Sequence, residues 1–269
     1  MAGQEKKDYK KMYIVIGEYD SITGSGVEQD ISIFHLMNKK CITVMTGRTQ
    51  HIMNGIEQIY ITETEKLLEE LEYAFINYYI EGIKIGAFFS VEQIKTVADF
   101  IREKQKNNKR NIPIVADPVF WPKNSDFFLE VKGRQAYVEN LMPLVDIITP
   151  NMREGYEICW ISQNYCENSE SDYIAKVLSL ILDLYNCKAI ITEADAEASI
   201  IKEYLLENGE FELEIRTMQR FSHTHSNAHA FSSALLIAYS EYGNLYLAYR
   251  DAAIAVEKLC MVRNCAVSN

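Results

Sequence analysis

This chain of 269 residues encodes an α/β protein, a three-layer α/β/α sandwich around a mostly parallel central sheet. Three observations lead there. Short apolar, β-branched runs alternate with longer stretches of helical period, a hairpin pattern follows the seventh run, and no repeat or Pro/Gly/Ser linker divides the chain. Such alternation means parallel strands joined by crossover helices that cover both faces of the sheet.

The runs are YIVIG at 13–17, CITVM at 41–45, IYIT at 59–62, GIKIGAFF at 82–89, IPIVADPVF at 112–120, DIITP at 146–150 and AIIT at 189–192. Between them lie VEQDISIFHLMNKK, EKLLEELEYAFINYYIE, SVEQIKTVADFIREKQKNN, a helical pattern near 127–142 and SESDYIAKVLSLILDLYN, each with apolar residues three and four apart. Over 198–218, SIIKEYLL, NGEF and ELEIRTM form the hairpin with its Gly-containing turn, and two helices close the chain at about 229–241 and 245–262. MAGQEKKDYKK, residues 1–11, reads as a frayed tail rather than a signal peptide, which leaves 12–269 as a single domain.

Apolar residues make up 48% and charged residues 24%, a globular composition, and the net charge of -11 argues against nucleic acid or an anionic membrane as partner. No apolar run reaches the roughly 20 residues of a membrane span. The six cysteines are scattered without a CxxC pair, which suits reduced thiols in the cytoplasm.

In parallel sheets ligands gather at the carboxyl ends of strands, so those ends select the candidate residues. GEYDSITGSGVEQD, 17–30, offers Asp20 and a turn in which Gly24 and Gly26 let the backbone approach a ligand; a common βα turn accounts for it equally. Lys84 interrupts an apolar strand and needs a partner or a route to water. Asp117 and Pro118 end another strand, where a carboxylate suits a metal or a hydroxyl. In TPNMRE, Asn151 caps a short helix and Glu154 completes a capping-box pattern; the same amide and carboxylate suit hydrated Mg²⁺.

Taken in order, these segments resemble the ribokinase-like vitamin kinases, most closely the hydroxymethylpyrimidine/phosphomethylpyrimidine kinases, with pyridoxal/pyridoxine kinases as near relatives. Asp20, Gly24, Gly26 and Asp30 match the family's first strand and turn. Lys84, Ile85, Gly86 and Ala87 match its KIGM-like strand; Asp117, Pro118 and Val119 its DPV; Thr149, Pro150, Asn151 and Glu154 its TPNxxE. The resemblance implies transfer of the γ-phosphoryl group of ATP to the hydroxymethyl group of a small heteroaromatic vitamin precursor, often by a homodimer. It implies that Asp20, Gly24, Gly26, His51, Lys84 and Gly86 serve the substrate, Asp117, Thr192 and Asn151 the nucleotide, and Asn151 and Glu154 Mg²⁺.

Departures concentrate near the carboxyl end. The family's THGTGCTLSAA falls on Thr224 to Ala234, so Ser226, Asn227, Ala228 and His229 stand where it places its phosphate-facing glycines and reactive residue. The substrate-reading Gln falls on His51, with Gln50 one residue away, and Lys-Gly-Gly-His on Thr192, Glu193, Ala194 and Asp195. An unperturbed imidazole is largely neutral at pH 7, which makes His229 a candidate general base. Two alternatives stand beside the kinase: a catalytically impaired relative that binds a ring or a partner, and zinc at His225 and His229, for which no local Cys or acid completes a ligand set.

Overall fold

The computed structural model describes residues 9–20, 24–52, 55–107, 111–121, 129–160, 170–195, 200–207, 210–217 and 227–267. Nine strands form one sheet: β1 (Lys11–Asp20), β2 (Cys41–Ile52), β3 (Gly55–Ile61), β4 (Tyr79–Ile85), β5 (Ile114–Ala116), β6 (Ile147–Ile148), β7 (Lys188–Asp195), β8 (Ile200–Glu207) and β9 (Glu210–Thr217). Their spatial order is β3-β2-β1-β4-β5-β6-β7-β8-β9. From β2 to β7 every pairing is parallel; β3 at one edge and β8 and β9 at the other pair antiparallel.

The helices are α1 (Val27–Leu36), α2 (Thr64–Asn77), α3 (Val91–Asn107), α4 (Val131–Asn140), α5 (Met152–Cys159), α6 (Glu170–Tyr185), α7 (Asn227–Tyr242) and α8 (Leu245–Val267), with a 3₁₀ turn at Met142–Leu144. Alternation along the strands divides the core into two layers. Ile14, Ile16, Ile83, Ile85, Ile114, Ala116 and Ile148 pack with residues of α2, α3, α4 and α6. Tyr13, Val15, Val115, Ile147 and Ile190 pack against α1, α7 and α8. Strands buried on both faces read as continuous apolar runs because neither face meets water.

One expectation is corrected. IYIT belongs to an antiparallel hairpin: CITVM continues as far as Ile52, and β3 begins at Gly55. Two intervening residues close a hairpin, whereas a parallel crossover needs a dozen or more. The polar character of TGRTQHI hid the extension of β2, since an edge hairpin has no second apolar layer to face. The hairpin at β8 and β9 stands as read.

Candidate active site

The carboxyl ends of β1, β4 and β5 meet the first turns of α1 and α7. Lys84 explains how. It stands opposite Val15 of β1 and Val115 of β5, and both of those residues face the α1/α7/α8 layer. Its ammonium therefore points into that layer, where it donates to Asp30 Oδ2 of α1 at 3.1 Å, both side chains being fully buried. Ser233 of α7 donates to the other Asp30 oxygen at 2.7 Å. The buried carboxylate thus has a counter-charge and two donors, the condition under which such burial is tolerated.

His229, two residues into α7 and only 6% exposed, lies between two more acids. Its Nδ1 is 3.1 Å from Asp117 Oδ2 and its Nε2 3.6 Å from Glu18 Oε1; Lys84 Nζ approaches Nδ1 at 3.4 Å. The Asp117 contact is close but poorly directed, so it acts as a charge contact rather than an aligned hydrogen bond. Burial alone would push the imidazole pKa down. The Glu18 charge, opposed by that of Lys84, and the contact with Asp117 carry it up to about 9. Burial likewise acts to raise Asp117, but the His229 contact and charge, with Lys84, bring it below the usual carboxylate range. Glu18 moves the other way: burial raises it, against His229 and Lys84. The expectation of an unperturbed, neutral imidazole is therefore corrected, because with a carboxylate facing each ring nitrogen His229 is cationic at pH 7.

Glycine supplies the entry to α1. Gly24 and Gly26 have φ of +63° and +64°. A Cβ on Gly26 would meet the Glu18 carbonyl oxygen at 2.2 Å and Glu18 Oε1 at 3.0 Å. The turn thus lies directly against the residue that holds His229. Asp20 is buried where β1 ends, and Gly86 donates its N–H to Ile16 O at 2.7 Å as the chain leaves β4.

A second polar unit sits at the start of α5. Asn151 Oδ1 accepts from Glu154 N at 3.0 Å, and Glu154 Oε2 accepts from Asn151 N at 3.0 Å, a reciprocal capping box. Glu154 Oε1 accepts from Phe120 N at 3.3 Å, which ties α5 to the chain after β5. Burial and the charge of Asp117 push the Glu154 carboxyl up to about 8 despite these two bonds.

Among the residues singled out from sequence, Lys84, Asp117 and His229 come together, with Asp30 bound to Lys84. Asn151 and Glu154 form their own pair. Thr192 lies on β7 opposite Glu203. His51 lies on β2 opposite Ile56, and Asn227 opens α7, with Ala228 exposed beside it. The side chains of His51, Glu193, Asp195 and Asn227 lie outside the described set, as do the whole residues Ser226, His223 and His225. Among the described residues no group of three His, Cys, Asp or Glu is arranged to hold a metal ion. Glu18 was not singled out. Its signal was its place at the carboxyl end of the first strand, two residues before the more familiar Asp20.

The model of the family described as phosphomethylpyrimidine kinase matches residues 20–265, and the chain belongs to that family. It is 22% identical over 244 residues to the hydroxymethylpyrimidine/phosphomethylpyrimidine kinase of Staphylococcus aureus strain MSSA476, covering 90% of this chain and 85% of that one. Among solved structures, the pyridoxal kinase of Bacillus subtilis in an ADP complex superposes with a TM-score of 0.77 at 23% identity, covering 91% and 89% of the two chains. The phosphomethylpyrimidine kinase of Clostridium difficile 630 gives 0.72 at 20% identity, covering 93% and 98%. The fold is that of the ribokinase-like vitamin kinases.

Proposed function

We propose that this chain transfers the γ-phosphoryl group of ATP to the hydroxymethyl group of a small heteroaromatic ring, hydroxymethylpyrimidine or its phosphate, with a pyridoxal-type ring as the other candidate. The observation that carries the reading is the convergence of Lys84, Asp117 and His229 where β4 and β5 end against the first turn of α7. Phosphoryl transfer is mostly positioning and charge stabilisation, and that convergence offers both. Asp20, the Gly24–Gly26 turn, Gly86 and the strand segment at His51 would line the ring pocket. Asp117 and Thr192 would face the nucleotide, and the segment Ser226 to His229 the transferring group. The acceptor hydroxyl would give its proton to His229 in the fraction that is neutral.

Asn151 and Glu154 offer the hard oxygen donors that Mg²⁺ takes. Both already serve the cap, so the pair fits an ion retained in its water shell rather than one bound directly. Such an ion would supply neutralisation of phosphate charge.

A second reading has its own observation. With His229 held cationic and Ser226 and Ala228 in place of the family's glycines, the chain would bind its ring and transfer little. Calorimetric titration with hydroxymethylpyrimidine, pyridoxal and the Mg²⁺ complex of a non-hydrolysable ATP analogue separates the two. The kinase reading expects binding of a ring and of the nucleotide. A ring bound without nucleotide would leave only the second reading.

A further inference from the structure

Three buried acids, Glu18, Asp30 and Asp117, surround two buried cations, Lys84 and His229. Two of the acids have obvious tasks. Asp30 holds Lys84 and orders Ser233, and Asp117 touches His229 at the closer distance. Glu18 is different. Its Oε1 reaches His229 Nε2 at 3.6 Å, a charge contact too long for a good hydrogen bond, and its Oε2 is buried with no hydrogen-bond partner. A carboxylate in that condition gives up solvation for an incomplete return.

We propose that Glu18 is a tethered counter-anion, occupying the place beside His229 that a tetrahedral oxyanion, such as the phosphate of a nucleotide or of a phosphorylated product, must take to reach the head of α7. The observations fit an occupant rather than a scaffold. Apart from a bond to its own main chain the carboxylate is held by charge, it faces the imidazolium from the side opposite Asp117, and it sits against Gly26 with no room for a side chain there. An oxyanion and Glu18 would compete for one cation, so the apparent affinity for the anion is reduced by the fraction of molecules in which Glu18 is in place. The inference rests on the reading that phosphate meets His229, but it does not require that transfer occurs.

The charges facing His229 are Glu18 from β1, Lys84 from β4 and Asp117 from the end of β5, with Asp30 of α1 behind Lys84 and Glu154 of α5 beyond Asp117. Asp117 Oδ2, the oxygen that touches His229, also has no hydrogen-bond partner, but Glu18 makes the longer of the two contacts and its partnerless Oε2 is not the atom in contact. Sulfate is the suitable probe, since it does not titrate over the range in which these groups do. Glu18→Gln and Glu18→Ala should each bind sulfate about tenfold or more tightly than the wild-type chain at pH 7. In Glu18→Gln, the His229 ring followed by NMR should titrate at lower pH than in the wild type. Unchanged sulfate affinity in a folded variant whose His229 titration has moved would overturn the proposal, and so would a titration that does not move. If neither variant folds, Glu18→Asp decides, since its shorter arm withdraws the charge from His229: it should bind sulfate more tightly than the wild-type chain, and equal affinity would overturn the proposal. Failure of the kinase reading is seen separately, as absence of phosphorylated product whatever Glu18 does.

Discussion

Burial ordinarily drives the proton off a histidine, and around His229 two carboxylates reverse that outcome. The folded pKa of about 9 lies above the ordinary 6.5. The stabilisation it represents is therefore complete below about pH 6.5 and lost as pH rises through about 9. Urea unfolding of the wild-type chain should show a loss on the order of 3 kcal/mol over that window, and Glu18→Gln should flatten the profile. A wild-type midpoint that stays level from pH 6.5 to 9.5 would contradict the assignment. Single residues were also where the sequence was least readable. Lys84 advertised itself as a charge in an apolar strand, but its partners Asp30 and His229 are remote in the chain. Glu18 went unnoticed because only the folding of α7 over the end of β1 brings it to His229.

At the scale of elements, two helix starts carry the site and can be tested apart from each other. The entry to α1 depends on Gly26, where positive φ coincides with a Cβ position 2.2 Å from a carbonyl oxygen. Gly26→Ala should cost about 1–3 kcal/mol in thermal or chemical unfolding, because strain and a backbone clash add. It should also weaken ring binding by displacing the turn. The start of α5 depends on its capping box, and Asn151→Ala should cost about 1 kcal/mol of stability. If Asn151 serves only as a cap, nucleotide affinity measured with Mg²⁺ will be unchanged in that variant; the proposed function expects it to weaken. Strand and helix existence was legible in the sequence because both faces of β1, β4 and β5 are apolar, leaving little but strand to choose. The direction of β3 was not legible, because the pairing of β2 beyond Met45 rests on backbone bonds between polar residues such as Gln50 and Gln58.

For the whole molecule, the parallel stretch from β2 to β7 sets the described candidate groups at one end of the sheet. The two apolar layers make that placement rigid. Family membership, the capping box and the Lys84–Asp117–His229 convergence all fit a phosphotransferase of small rings. The distinctive feature of the proposed function is that the group it assigns to accept the hydroxyl proton is a histidine held cationic at neutral pH. The rate of phosphorylated product formed from hydroxymethylpyrimidine and ATP with Mg²⁺, measured from pH 6.5 to 10, tests this most directly. Transfer should be slow at neutral pH, rise about tenfold per unit as His229 loses its proton, and level off near pH 9. A rate already maximal at pH 7, or no product at any pH, would contradict it.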